Sequence, residues 1–251
     1  MWYLDNINVV DSKEAEQKAK KRESATKYEE YFSSMVLGAT QLRRRIQMAK
    51  ELEEALFLLF LAWFYEADED EAESTFINTY LDTVEQYDDV GLEDEFTEYV
   101  ILLAALLRES TMRAKAEYEG KLAVSASEVD WAESSEAVVN SLERSQRGRD
   151  APYFASYDRA TYVAANEANT ALNSIEFAQA KRDGYTKKTW HTERDMRVRP
   201  THVPHEGETI PIDDLFIVGG VRFRYPKDTY DIGNTNWTRE SQNCRCSASY
   251  S

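Results

Sequence analysis

Ala55-Leu56-Phe57-Leu58-Leu59-Phe60-Leu61-Ala62-Trp63-Phe64-Tyr65 runs eleven residues without a charge. A helix that spans a bilayer needs about 20 such residues, so this stretch is too short to cross. It reads as a central helix buried on most sides in a helical bundle. A helix that grips a partner or lies on a membrane is the alternative. Around the run, residues 12–147 contain no proline and few glycines, and Ala, Glu, Lys and Leu dominate. That composition favours long helices.

The expected helices are Ser12–Thr26 continuing into Tyr28–Ala39, Gln41–Tyr65, Glu73–Tyr87, Leu92–Gly120 and Ser127–Arg147. The acidic tract Glu66–Glu73 reads as a solvated joint and Asp88-Asp89-Val90-Gly91 as a turn. Tyr99, Leu102, Leu103, Leu106 and Leu107 recur at helical spacing and read as core. No heptad is sustained and no internal repeat is present, which disfavours a coiled coil or a solenoid.

The texture changes near Gly148–Pro152. All five prolines and five of the nine glycines lie beyond residue 151. The net charge of −16 is also uneven, with −17 on residues 1–186 and +1 on residues 187–251. The predicted organisation is therefore α+β: an acidic, mostly helical region over 1–150, then a small α+β domain over 151–251. In the second part, Ser156–Asp183 reads as a helix stopped by Gly184. Short β-prone segments follow around Trp190, Ile210, Phe216–Val218, Val221–Tyr225 and Ser247–Ser251, with Gly219-Gly220 as a two-residue hairpin turn. So acidic a chain repels phosphate at long range, which excludes a coat for nucleic acid or anionic membrane and leaves only local contact. No basic stretch, apolar run and cleavage site open the chain, so no secretory signal is expected.

An ordered set of residues carries the functional reading. Arg159 and Glu167, with Asn169 and Asn173, lie on the helix before Gly184; then come Trp190, Asp195, Arg197, Arg199, His202, Gly207, Pro226, Asp228 and finally Asn243-Cys244-Arg245-Cys246. Over residues 155–250 this set resembles the phage Mu F-like minor head proteins of tailed bacteriophages. Asn166 stands before Glu167 where that family more often has Thr. The resemblance implies a virion component present in a few copies, attached near the portal vertex, acting in head assembly and in DNA packaging or genome ejection. Its implied partners are portal protein and other head proteins, with assembly in the host cytoplasm. Residues 1–150 carry no such resemblance and suggest a docking arm.

Two chemical readings stand beside it. Cys244 and Cys246 are too close in sequence for an easy disulfide, but with His202 they supply three ligands for zinc, the fourth coming from Asp195, His205 or His191. The other reading is two small buried residues on a closing strand. Asp195, Arg197, Arg199 and His202 also form a polar cluster, read as an Asp–Arg ion pair beside a packed His. No Gly-x-Ser-x-Gly, phosphate-binding loop or His-Glu-x-x-His occurs, so no catalytic set is expected. A nuclease-like or ADP-ribosyltransferase-like phage toxin on the C-terminal domain is the alternative function. Lys181, Arg182, Lys187, Lys188, Arg194, Arg197 and Arg199 form the densest basic stretch, a solvated face or a local contact with packaged DNA.

Overall fold

The structure, a computed structural model, describes residues 27–33, 35–65, 68–118 and 151–251. The expected helices over 12–26 and 127–147 lie outside them. The chain is α+β: long helices come first and a set of short antiparallel strands last. A helix over 27–33 is followed by a bend at Met35 and irregular chain over 36–38 before α1 (Ala39–Tyr65), so the helix predicted to reach Ala39 stops short. At the start of α1 the Gln41 side chain reaches back to accept the Gly38 N–H at 2.9 Å, half of a capping box, which favours a new helix start at this point.

α2 (Glu69–Glu85) starts four residues earlier than expected. Glu69, Asp70 and Glu71 occupy its first turn, where negative charge is favoured by the exposed N–H groups and the helix dipole. The tract read as a joint is thus partly a helix start. Asp88 closes the next connection, its carboxylate accepting the N–H groups of Val90, Gly91 and Leu92 ahead of α3 (Glu93–Tyr118). After α4 (Ala151–Phe154), Ser156 caps α5 (Tyr157–Arg182) by accepting the Arg159 N–H. α5 ends in a Schellman motif: Tyr185 N–H bonds Ala180 O, Gly184 N–H bonds Lys181 O, and Gly184 takes φ +82°.

α1 is the centre of the helical core. Met48, Leu52, Leu56, Leu59, Phe60 and Trp63 are fully buried, and they meet Phe76, Tyr80 and Val84 of α2 and Phe96, Val100 and Leu107 of α3 in one cluster. α5 is the most extensive neighbour of α1. Ala160, Ala164, Ala168 and Ala171 recur every three to four residues along its buried face. Side chains this small let two helix backbones approach closely. One apolar cluster therefore draws on residues from both sides of position 150.

Five strands follow α5. β1 (Lys187–His191) is the centre of an antiparallel sheet of order β2-β1-β5, with β2 (Thr209–Pro211) and β5 (Ser247–Tyr250) at its edges. Trp190 pairs with Ala248 across it. β3 (Phe216–Val218) and β4 (Val221–Phe223) form a hairpin through Gly219-Gly220, both at positive φ as a tight turn of this hand requires. Trp190 projects onto Phe216 and Phe223, with ring centroids 5.1 and 6.0 Å away, and with the short α6 (Trp237–Ser241) they seal a second apolar cluster.

Candidate functional site

α5 presents a polar stripe as well as an alanine face, and both are buried. Asn169 Nδ2 donates to Cys244 O at 3.2 Å, and Asn173 Nδ2 donates to Pro226 O at 2.9 Å. The side-chain oxygens of both accept from Arg45 of α1, which also makes a two-pronged ion pair with Glu176. One fully buried guanidinium thus joins α1, α5 and, through the two amides, the C-terminal loops. Sequence reading missed Arg45. Its signal was a charge three and seven residues before Met48 and Leu52, on the apolar face of α1.

The residues of the ordered set fall into separate constellations. Arg159 lies fully buried at the start of α5. It donates to Thr111 Oγ1, Ser110 Oγ, Phe154 O and Leu107 O, with its guanidinium 4.0 Å above the Phe60 ring. Burial lowers its pKa to about 9. Glu167 accepts from Tyr99 Oη at 2.7 Å and from Asn166 Nδ2 at 2.8 Å. The Asn166 side-chain oxygen in turn receives Lys227 Nζ and the Asn243 N–H. Asp228 takes both prongs of Arg224 and the Tyr230 N–H, while its carbonyl accepts from Trp237 Nε1. Gly207, at φ +74°, returns its N–H to Trp190 O.

Asp195 and Arg197 form the Asp–Arg ion pair read from the sequence, and His202 is packed in the interior. Asp195 is held by Arg245 at 2.8 and 3.0 Å and by Arg197 at 3.1 Å. Those hydrogen bonds, that of Arg245 foremost, keep its carboxyl at about 2. Arg199 donates to Gln242 O. His202 turns instead into the protein, edge-on to Trp190.

There His202 meets the two thiols. Its Nδ1 lies 3.4 Å from Cys246 Sγ and 3.6 Å from Cys244 Sγ, and its Nε2 lies 3.1 Å from Glu240 Oε2. His202, Cys244 and Cys246 are 1, 2 and 4% exposed, and Glu240 is 2% exposed. Thr201 Oγ1 donates to the Glu240 carboxylate and fixes it. Burial raises the Cys244 thiol, but the hydrogen bond from Cys246 and the charges of His202 and Arg199 outweigh it and pull Cys244 well below the usual thiol range. Cys246 is pushed up, by that same hydrogen bond and by burial. Burial lowers His202, and the facing Cys244 thiolate more than offsets it, so His202 is raised.

The three residues named in advance as zinc ligands are the ones brought together: their ligand atoms all lie within 4.8 Å of one another. The fourth candidates are engaged elsewhere. His191 bonds Ser249 Oγ, His205 bonds the Glu208 carboxylate, and Asp195 pairs with Arg245. Glu240 was not foreseen, because α6 is placed beside His202 only by the tertiary fold. Gly219 stands over it: at φ +60°, an added Cβ would overlap the Glu240 carboxylate. Gly219→Ala is expected to lower stability by about 1–3 kcal/mol through left-handed strain and displacement of Glu240. Thermal unfolding of that variant against Gly233→Ala, where a Cβ meets nothing within 4 Å, checks this.

The basic stretch is largely consumed within the chain. Lys181 pairs with Asp213, Arg182 with Asp89 and Asp183, Arg194 with Glu206 and Arg197 with Asp195. Lys188 is buried, donating to Ile212 O and Asp214 O. No described helix is long and apolar enough to cross a membrane.

Residues 133–249 match the family model described as phage Mu protein F like protein. That segment contains the buried cluster and every residue of the ordered set. No curated protein and no solved structure matches the chain.

Proposed function

We propose that this chain, whose residues 133–249 are a phage Mu protein F-like segment, is a minor head protein of a tailed bacteriophage. The family suggests head morphogenesis; the finer reading is a component of the portal region that acts in capsid assembly, DNA packaging or genome ejection. Its partners on this reading are portal protein and other head proteins, with a few copies per head.

The observation that carries this reading is what the matching segment does with its ordered residues. Arg159, Glu167, Asp195, Arg199, His202 and Asp228 direct their polar atoms at other parts of the same chain. Residues spent on joining helices to loops suit a scaffold that must hold its shape within an assembly. Catalytic groups need reach to a substrate, whereas the thiols and imidazole here are nearly inaccessible. Contact with packaged DNA is a minor part of the reading, since carboxylates neutralise most of the basic stretch.

The test is copurification. Immature heads should contain the chain together with portal protein, and heads lacking it should assemble or package poorly. A chain absent from both heads and virions overturns the reading. Toxicity on expression, abolished by Cys244→Ser, would favour the toxin alternative instead.

A further inference from the structure

We propose that His202, Cys244 and Cys246 bind a zinc ion that staples the loop before the short helical turn Val203–His205 to the segment entering β5, with Glu240 as the group that orients the histidine. The distances carry the inference. Tetrahedral zinc with Zn–S of about 2.3 Å and Zn–N of about 2.0–2.1 Å sets an imidazole nitrogen about 3.6 Å from each sulfur. His202 Nδ1 stands 3.4 and 3.6 Å from the two sulfurs.

A second and independent feature is the far side of the ring. Glu240 Oε2, 3.1 Å from Nε2, is positioned to accept its proton, which leaves the Nδ1 lone pair directed at the thiols. A carboxylate that holds the non-ligating nitrogen in this way is the usual companion of a metal-bound histidine. The Cys246 N–H, 3.4 Å from Cys244 Sγ, stabilises negative charge on that sulfur. Two thiolates and a neutral imidazole favour zinc over the hard oxygen-seeking cations. The two thiolates also cancel its double charge.

Binding forms one Zn–N bond from the Nδ1 lone pair and two Zn–S bonds, each thiol that is still protonated giving up its proton to solvent, with no change of oxidation state. A small cleft bordered by Glu193, Arg199 and Arg245 lies against His202, Cys244 and Cys246 and could admit a fourth ligand such as water.

The experiment uses the full chain, stripped with a chelator under reducing conditions and then reloaded with Zn2+ or with Co2+. About one metal per chain is expected, with a thiolate-to-cobalt charge-transfer band, tetrahedral cobalt absorption and a melting temperature that rises on loading. Cys244→Ser, Cys246→Ser and His202→Ala should each lose the stoichiometric metal. Glu240→Gln should retain the site with affinity weakened by about 10–100-fold, as for partners of metal-bound histidines. If a ligand variant fails to fold, the cobalt spectrum of the native sequence still decides. Zinc well below one per chain after reloading, without the charge-transfer band and without a chelator effect on melting, overturns the site and leaves the head-protein reading untouched.

Discussion

Leu59→Asp should unfold the helical core. Leu59 has no exposed surface and sits among α1, α2, α3 and α5 in the main apolar cluster. An aspartate there either buries an unpaired charge or takes up a proton to avoid it, and both also remove a packed leucine. The combined cost of several kcal/mol is comparable to the whole stability of a domain, about 5–15 kcal/mol. Leu58, one residue away, is 49% exposed. Leu58→Asp should therefore stay within about 0.5 kcal/mol of the original chain. Circular dichroism and chemical denaturation of the two variants separate them. Equal stability of Leu59→Asp and Leu58→Asp would contradict the burial of this face.

Arg45→Met is expected to cost about 3–5 kcal/mol, because it strands a mostly buried carboxylate on Glu176 together with the oxygens of Asn169 and Asn173. The loss is not the worth of an ion pair. It is the penalty of leaving polar partners unanswered in a low-dielectric interior. Arg45→Met combined with Glu176→Leu should recover a substantial part, since an apolar pair of similar size can replace a buried ion pair. The two amides would remain half satisfied, so recovery should be incomplete. Denaturation midpoints of the two single variants and the double variant form the cycle that measures this coupling. A cost below about 1 kcal/mol for Arg45→Met would mean that water reaches these groups.

Much of the helical architecture was legible because periodicity and capping are local. The apolar run, the Asp88 turn and the Gly184 stop each act over a few residues, and each is found where the sequence placed it. The early start of α2 was missed because acidic residues suit both a solvated joint and a first helical turn. The association of α5 with α1 was hidden for a different reason. An alanine-rich face shows that something approaches closely without saying what, and the change in proline and glycine content drew attention to position 151 instead.

The cluster shows the same division. His202, Cys244 and Cys246 stood out as residue types able to share a metal, and the fold brings them together. Glu240 lies 38 residues from His202 and on a five-residue helix, so nothing local linked the two. The carboxylates that neutralise the basic stretch were equally invisible, Asp89 being 93 residues from Arg182.

The contact between α1 and α5 also sets a clock for synthesis. Arg45 and Glu176 are 131 residues apart in the chain. At about 5–20 residues per second, translation takes roughly 7–26 s to deliver the second after the first. For that interval the apolar helix α1 has emerged without α5, its most extensive neighbour. Closure over so long a span belongs among the slow, non-local steps of folding. The nascent chain is therefore most open to aggregation, and to chaperone capture, between the appearance of Tyr65 and that of Arg182.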